Sequence, residues 1–310
     1  MKDLFQEISA TEIADAMCQN LGAEMRQYIS SHDLRYTTLS RQEVLETMHR
    51  LLEVLASGQL SLAGAHRQSE WEKGWGQNLN LFEHEPTYDN LVPKYFGKSR
   101  EARWRQQLIR PASPRFEASM LSIIVRMFAD KYLKDVDHIA EFGCGTGINL
   151  LDLRAVNGSA RISGLDWAQA SQRIVRKLAV QQSDSRMKSY PFDFFSPDYG
   201  FKLGRGGAAV TVAALEQVGE KFHNFLSYLI ESRPSVCIHI EPIAELLDPC
   251  NSLDLISLEY FKRRNYLSGF LPELQRRADV GEVEIYETVR TFSGSLYIEG
   301  HSVVVWAPKL

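Results

Sequence analysis

The chain has 310 residues, of which 44% are hydrophobic and 24% are charged. This composition is that of a folded globular protein, and the length is enough for one large domain or two modest ones. Because 35 Lys and Arg face 39 Asp and Glu, a net charge of −4, no global positive field is available to hold a polyanion, and we expect no nucleic-acid partner.

The cysteines and the N-terminal sequence narrow the class further. The four cysteines share no C-x-x-C spacing and do not neighbour histidines at zinc-ligand intervals, so we expect neither a metal nor a disulfide framework. The first ten residues lack an apolar signal core, and no run reaches the ~18 apolar residues of a membrane span. We therefore expect no membrane attachment and a cytoplasmic location.

The N-terminal part of the chain has helical periodicity. Apolar residues recur at intervals of three and four from Leu4 to about Tyr28 and again from Arg41 to Ala56, which predicts amphipathic helices. Ser40, with Glu43 three residues later, matches a capping box at the start of the second helix.

Residues 69–97 differ from the preceding segments in composition and periodicity. Aromatic residues lie among glycines and prolines without a sustained period, which predicts an irregular segment. It would either pack as a loop against the core or form a lid over a small-molecule pocket. Tyr95, near its end, is a candidate catalytic residue.

From residue 116 onward, an apolar helix leads into alternating strands and helices. The predicted strands are His138–Phe142, Arg161–Asp166, Met187–Tyr190, Ala208–Ala214, Val236–Ile240, Glu282–Arg290 and Ser302–Trp306. The predicted helices are Phe116–Leu133, Gly147–Val156, Ala168–Gln181, Glu220–Ser232 and Ser252–Arg277. Such alternation is typical of parallel strands with crossover helices. Only the short Gly- and Ser-rich span Thr291–His301 separates the last two strands, which predicts an antiparallel pair.

The first of these strands ends in a glycine-rich turn, Glu141-Phe-Gly-Cys-Gly-Thr-Gly147. Glycines at alternate positions allow the backbone to approach a ligand closely, and the following helix directs its N-terminal amides toward that ligand. Alone, this turn predicts only a nucleotide-like ligand.

Acidic and aromatic residues follow the next two strands. Asp166 ends the second strand nineteen residues after Gly147, where a carboxylate would accept hydrogen bonds from ribose hydroxyls. Trp167 comes next and would lie against an adenine. Asp193 and Phe194 follow the third strand and would accept the exocyclic amine of adenine and cover its face.

These motifs resemble the first three motifs of the class I (Rossmann-like) S-adenosylmethionine-dependent methyltransferases. The resemblance covers about residues 116–308 and includes the antiparallel last pair of strands. It implies an α/β fold with a seven-stranded sheet, mostly parallel with the last strand antiparallel, flanked by helices and joined to an N-terminal helical cap. Residues 1–115 would form this cap and residues 116–310 the cofactor-binding catalytic domain. The implied cofactor is S-adenosyl-L-methionine, with S-adenosyl-L-homocysteine as product.

The resemblance also assigns roles to residues. Glu141 and the loop to Gly147 would hold the amino-acid part of the cofactor, Asp166 the ribose, and Asp193 with Phe194 the adenine. The cofactor-binding candidates in this region are Glu141, Phe142, Gly143, Cys144, Gly145, Gly147, Asp166, Trp167, Asp193 and Phe194. Each acid also has an ordinary interpretation, as a helix cap or a turn residue. We interpret Cys144 as a small loop residue and not as a nucleophile.

Arginines before this domain form a further candidate group. Arg100, Arg103 and Arg110 fall at helical spacings of three and seven. They would clamp the methionine carboxylate or an acidic substrate, and Arg103 joins the cofactor-binding candidates.

The ends of the fourth and fifth strands carry the other catalytic candidates. Glu216 and Gln217 stand where many members of the family have an acidic residue and a histidine. After the fifth strand, His239 and Glu241 would project to one side of an extended strand and orient an amine or take its proton. A lone histidine at a strand end is more often structural, so Glu241, before Pro242, is the better catalytic candidate of the two. The helix segment Tyr260–Tyr266 would supply either a solvated basic face or a site for a substrate anion.

The leading hypothesis is methyl transfer to an oxygen or nitrogen of a small molecule in secondary or specialised metabolism. An enclosing cap favours a small acceptor over a polymer. One alternative is a nicotinamide-dependent oxidoreductase, although the G-x-G-x-G spacing followed by Ile148 argues against it. The others are a protein or RNA methyltransferase and a non-catalytic cofactor-binding scaffold.

Overall fold

The strands and helices are described over residues 5–309 by a computed structural model. The strands are β1 Gln6–Glu7, β2 Arg35–Thr38, β3 Ala102–Trp104, β4 Gln107–Pro111, β5 His138–Phe142, β6 Arg161–Asp166, β7 Met187–Pro191, β8 Gly207–Val212, β9 Val236–Glu241, β10 Val283–Val289, β11 Ser293–Gly294 and β12 Ser302–Pro308. The helices are α1 Ala10–Ala16, α2 Ala23–Ser30, α3 Arg41–Ala56, α4 Gln68–His84, α5 Tyr88–Leu91, α6 Phe116–Tyr132, α7 Ile148–Val156, α8 Gln169–Gln181, α9 His223–Ser232, α10 Ser252–Arg264 and α11 Phe270–Asp279. Short 3-10 helices lie at Ala65–Arg67, Leu215–Phe222 and Ala244–Leu246.

Seven strands form the central sheet in the order β10-β12-β9-β8-β5-β6-β7. Five neighbouring strands, β9, β8, β5, β6 and β7, pair in parallel. Strand β12 pairs antiparallel with both β9 and β10. The predicted seven-stranded, mostly parallel sheet with an antiparallel closing pair is confirmed. Its strand order differs from the dinucleotide-binding order 3-2-1-4-5-6, because the last strand inserts between the fifth and the sixth.

The central strands are buried on both faces because helices cover both sides of the sheet. Every residue of β5, β8 and β9 is buried, as expected for parallel strands inside an α/β domain. The first core lies between the sheet and α6, α7 and α8. The second lies between the sheet and α9 and α11. The carboxyl ends of β5, β6, β7 and β8 therefore meet at one edge.

The N-terminal part contributes helices and also a second sheet. Helix α3 has the predicted bounds, and the capping box between Ser40 and Glu43 is present. The predicted helix from Leu4 to Tyr28 forms two helices, α1 and α2, and Leu4 lies outside the described residues. A five-stranded sheet in the order β1-β2-β4-β3-β11 includes one strand from the C-terminal part of the chain. The two parts of the sequence are thus joined by β11.

Three local predictions were wrong. The segment 69–97 is mainly the helix α4, because Trp71, Trp75 and Phe82 share one buried helical face despite the glycines between them. Arg103 and Arg110 lie on the two strands of the β3–β4 hairpin and Arg100 lies just before β3, so none of the three is on a helix. The predicted helix Ser252–Arg277 is broken after α10, where Asn265 takes a left-handed conformation with φ of 52°.

Among residues 5–309, no helix is long and apolar enough to cross a membrane.

Candidate functional site

The glycine-rich loop joins β5 to α7 in the middle of the sheet edge. Gly143, Gly145 and Gly147 all have positive φ, at 75°, 53° and 70°, a region that side chains other than glycine rarely occupy. A Cβ atom on Gly143 would lie 2.5 Å from Cβ of Ala214, at the end of β8. Glycine is therefore required both by the backbone conformation and by close packing.

Asp166 links this loop to the start of α8. Its carboxylate accepts hydrogen bonds from the amide of Gly145 at 2.9 Å and from the amide of Ala168 at 2.8 Å. Burial raises the pKa of Asp166 to about 6. Asp166 therefore holds the backbone at the N-terminus of α8, a structural role close to that of the predicted helix cap. Two amide bonds leave lone pairs on the carboxylate for further donors, and Asp166 lines a cleft beside the loop.

Glu141 is fully buried at the end of β5. Its Oε1 accepts a 2.7 Å hydrogen bond from Nδ2 of Asn149, whereas Oε2 is buried and has no hydrogen-bond partner within residues 5–309. Burial raises the pKa of Glu141 to about 8. An unsatisfied buried carboxylate oxygen is costly, and an ammonium group beside the loop would satisfy it.

The side chains of Phe142 and Cys144, two predicted cofactor-binding residues, point into the protein interior and not toward the cleft. The ring of Phe142 lies in the core behind the sheet, in edge-to-face contact with Phe192 and Phe225. Cys144 is buried beside Ser171, and burial raises its pKa well above the usual thiol value. A neutral thiol is a poor nucleophile, which agrees with a small loop residue.

Aromatic rings line the cleft next to Asp166. Trp167 and Phe195 are stacked, with centroids 6.0 Å apart and an interplanar angle of 24°. The ring of Phe194 lies against Gly143, 3.1 Å from the position of a Cβ atom there. Asp193 closes a turn, because its Oδ1 accepts the amide of Phe195 at 2.9 Å. One of its oxygens remains for another donor.

Helix α4 covers the glycine loop. The rings of Trp71 and Trp75 are stacked at 5.3 Å, and a Cβ atom on Gly145 would lie 2.9 Å from Cζ2 of Trp75. Glu72 fastens the helix to the N-terminus of α8, because its carboxylate accepts the amides of Gln169 and Ala170 at 2.7 and 3.1 Å. This contact places a negative charge at the positive end of the α8 dipole.

The polar groups fit S-adenosylmethionine, but the cleft is narrow. Glu141 offers an unsatisfied oxygen for the ammonium group, Asp166 has spare lone pairs for ribose hydroxyls, and the rings of Trp167 and Phe195 suit an adenine. The cleft beside Asp166 has a volume of only about 60 Å³, far below the 300–1,000 Å³ common for ligand sites. The cofactor needs more space than this cleft provides, and the indoles of Trp71 and Trp75 are among the groups that line it.

The predicted pair His239 and Glu241 does not face this cleft. Nδ1 of His239 is 2.9 Å from Oγ1 of Thr211, and the imidazole lies between aromatic rings of the second core. Burial lowers the pKa of His239 to about 3. Glu241 accepts the amides of Ala214, Leu215 and Glu216 at 3.0 to 3.3 Å. Both side chains stabilise the structure beneath the site, so we leave them out of the proposed catalytic groups.

The other two catalytic candidates line a larger cavity of about 560 Å³ that adjoins the cleft. Burial raises the pKa of Glu216 to about 7. Burial together with the nearby carboxylates of Glu216 and Glu241 raises the pKa of Tyr95, so its hydroxyl stays protonated. Trp71, Trp75 and Ala213 border both the cavity and the cleft. The structure thus brings Glu216 and Tyr95 beside the cofactor candidates.

The predicted role of Arg103 as a carboxylate clamp is not supported by its contacts. Its buried guanidinium donates to the carbonyls of Leu253, Leu296 and Tyr297 and to Oγ of Ser257. Arg103 therefore ties β3 to α10 and to the segment before β12. Arg110 forms an ion pair with Glu43 at 2.8 Å.

Sequence reasoning missed several residues of the site. Trp71 and Trp75, four residues apart, mark the face of α4 that covers the loop. Their spacing, continued by Leu79 and Phe82, is the signal that would have predicted a helix. Glu117 and His301 also line the cavity. No local sequence pattern predicts that Glu117 and His301 line one cavity, because they lie far apart along the chain.

Solved structures are similar to this chain in fold at low sequence identity. The chain aligns over 81% of its length with 98% of the 4+2 cyclase SpnF, at a TM-score of 0.52 and 13% identity. It aligns over 64% of its length with 59% of NcsB1, an O-methyltransferase from neocarzinostatin biosynthesis, at a TM-score of 0.45 and 18% identity. It aligns over 62% of its length with 83% of the magnesium protoporphyrin IX methyltransferase ChlM from Synechocystis, at a TM-score of 0.45 and 13% identity.

The alignment spans less than two thirds of the length of NcsB1. No protein-family model and no curated protein matches the chain. At these identities the comparisons establish the Rossmann-like fold, and the chemistry has to be argued from the site.

Proposed function

We propose that the protein is an S-adenosylmethionine-dependent methyltransferase that acts on an oxygen or nitrogen of a small molecule. The observation that carries this proposal is the buried, unpartnered Oε2 of Glu141 beside the glycine loop. Asp166 and the stacked rings of Trp167 and Phe195 lie at or just after the ends of the neighbouring strands β6 and β7, at the same edge of the sheet as Glu141. Together they offer acceptors for an ammonium and for ribose hydroxyls, and an aromatic contact for adenine.

When bound, the cofactor supplies a sulfonium-activated methyl group. The chain itself has to hold the acceptor in line and exclude water. Trp71 and Trp75 border both the cleft and the cavity, so they shield the region where the two meet. Tyr95 stays protonated and serves as a hydrogen-bond donor. Glu216, whose pKa is raised to about 7 by burial, is available to hold the proton that the acceptor loses. Burial lowers the pKa of His301 to about 4, so its neutral imidazole serves as a hydrogen-bonding group.

A cavity of this size suits a small acceptor and not a polymer. The order of the sheet, with β12 inserted antiparallel, weighs against a nicotinamide-dependent oxidoreductase. One observation favours a second candidate, a protein of this fold that does not transfer methyl groups: the cleft between Asp166 and the indoles of α4 has a volume of only about 60 Å³. SpnF, described as a cyclase, has the same fold, so the fold alone does not select the reaction.

Calorimetric titration with S-adenosylhomocysteine tests the proposal. We expect saturable binding at micromolar concentrations to the wild type. Glu141→Gln should weaken it at least tenfold because the amide removes the negative charge facing the ammonium. Glu284→Gln, at an exposed position on β10, is the matched control and should bind like the wild type. Absence of binding of both S-adenosylmethionine and its product would refute the proposal, and a fluorescence response to NADH alone would favour the oxidoreductase.

A further inference from the structure

Arg264, at the C-terminal end of α10, presents an unpaired positive charge to the large cavity. Its guanidinium lies over the rings of Tyr260 and Tyr266, 5.5 and 5.0 Å from their centroids, and Nη1 donates to the hydroxyl of Tyr260 at 2.8 Å. In the described part of the chain, no carboxylate lies within ion-pair distance of this guanidinium, although its charge acts on Glu216 from farther away and opposes the rise in the pKa of that carboxyl. By contrast Arg67, another cation of the cavity, is paired with Glu70 at 2.8 Å.

The charges around the cavity leave an excess of positive charge. Four cations line it, namely Arg67, Lys94, Lys98 and Arg264, against three carboxylates, Glu70, Glu117 and Glu216. Burial raises the pKa values of Glu117 and Glu216 to about 7, so each is partly neutral at that pH. Because Glu70 already balances Arg67, the remaining cations attract an anion.

The wall next to Arg264 is aromatic. Tyr260 and Tyr297 are stacked at 5.3 Å with an interplanar angle of 27°, and Tyr266 meets Tyr260 edge to face at 5.9 Å. Trp71 lines another part of the same cavity. Such surfaces bind planar rings through offset stacking and edge contacts.

We infer that this cavity binds an aromatic carboxylic acid, with Arg264 as the anchor of its carboxylate and the tyrosines as the contact surface of its ring. A guanidinium matches a carboxylate better than an ammonium does, because its planar donors hold both oxygens. The inference rests on the proposed function, since it identifies this acid as the methyl acceptor. The anion anchor keeps the ring in one orientation while its reactive oxygen or nitrogen faces the cleft.

Matched acid and amide pairs test the inference. Benzoate, salicylate and 1-naphthoate are each compared with the corresponding amide by calorimetric titration of the full chain, with and without saturating S-adenosylhomocysteine. We expect at least one acid to bind at least tenfold more tightly than its amide. Arg264→Gln should reduce this preference to within twofold, whereas Arg264→Lys should retain part of it. Arg263→Gln, at the exposed neighbouring position, is the control and should keep the full preference.

The unfolding midpoint and near-ultraviolet circular dichroism of each variant show whether it is folded. If no acid exceeds its amide, or if the preference survives in folded Arg264→Gln, the anchor assignment is overturned. If the protein binds the acids but not S-adenosylhomocysteine, the anion site is supported, but the role of the acid as methyl acceptor is refuted. Binding of S-adenosylhomocysteine without any acid preference supports the proposed function and refutes this inference.

Discussion

The indole of Trp75 lies directly against the backbone of Gly145, so the helix that covers the site touches the loop predicted to hold the cofactor. A Cβ atom on Gly145 would approach Cζ2 of Trp75 to 2.9 Å. The contact joins a residue of the N-terminal part to the centre of the sheet edge. Cofactor binding and the position of α4 must therefore be coupled, because both use the same space.

We predict that Gly145→Ala destabilises the protein by about 1–2 kcal/mol, because alanine is strained at positive φ, and that it weakens binding of S-adenosylhomocysteine at least tenfold. Gly76→Ala is the control. Gly76 lies in α4 with nothing within 4 Å of a Cβ atom, so this change should stabilise the helix by roughly 0.5–1 kcal/mol. Urea denaturation and calorimetry measure both effects. Equal behaviour of the two variants would contradict the assigned role of the loop.

We predict that S-adenosylhomocysteine displaces the indole of Trp75. Because Trp167 would itself contact adenine, tryptophan emission is best measured in a Trp167→Phe background. Addition of the ligand should shift the emission, and the further change Trp75→Phe should remove most of that shift. Trp306→Phe, in the second core, should leave the shift intact. If the shift persists without Trp75, helix α4 does not move in the way proposed.

Glu72 provides a separate test of how α4 is fastened. Glu72→Gln removes the charge from the N-terminus of α8 and should weaken the docking of α4 by about 1 kcal/mol. We expect faster amide hydrogen exchange in residues 68–84, with little change in the exchange of β5. Glu85→Gln, an exposed position just after α4, should exchange like the wild type. Unchanged exchange in Glu72→Gln would show that the apolar face of α4 and the ion pairs of Glu83 with Arg173 and Lys177 suffice to hold the helix.

The central sheet could be predicted because its inner strands β5, β8 and β9 are buried, largely apolar runs and because turns with glycine and acidic residues separate the strands from the helices. The bounds of β5 and β6 match the predicted ones to the residue. The β3–β4 hairpin could not be predicted in this way. Its turn residues Arg105 and Gln106 both have positive φ, at 48° and 60°, without the Asn or Gly that normally signals such a turn.

The groups at the carboxyl ends of β5 and β6 were easier to place from the sequence than the groups around the large cavity. Loop glycines and strand-end acids such as Asp166 are fixed by local backbone geometry, so their order along the chain carries the signal. The sequence predicted a catalytic role for Glu241, but its carboxylate accepts three backbone amides from the residues just after β8. This contact arises only in the tertiary structure and has no local sequence signal. The cavity combines α4, α10 and the segment before β12, and no local pattern links Trp71 with Arg264 or His301.

The buried carboxyls predict an unusual dependence of stability on pH. Burial raises the pKa values of Glu117, Glu141, Glu216 and Glu241 to about 7 or 8, from an ordinary value of 4.5. Between the ordinary and the raised values, the folded protein binds more protons than the unfolded chain. These four carboxyls therefore make the free energy of unfolding decrease as pH rises from about 4.5 through 8. The buried His239 and His301, with pKa values lowered to about 3 and 4, act in the opposite direction up to about pH 6.5, so the decrease should be clearest above that pH.

Glu117→Gln isolates one of these contributions. A neutral amide has no proton to release, so the variant should lose about 1 kcal/mol less stability than the wild type between pH 6 and pH 8. Glu284→Gln, at an exposed position, should follow the wild-type curve. Urea denaturation at pH 6, 7 and 8 provides the comparison. A Glu117→Gln curve parallel to that of the wild type would show that the carboxyl of Glu117 is already ionised in the folded protein at pH 6, and that the cavity is more hydrated than its lining indicates.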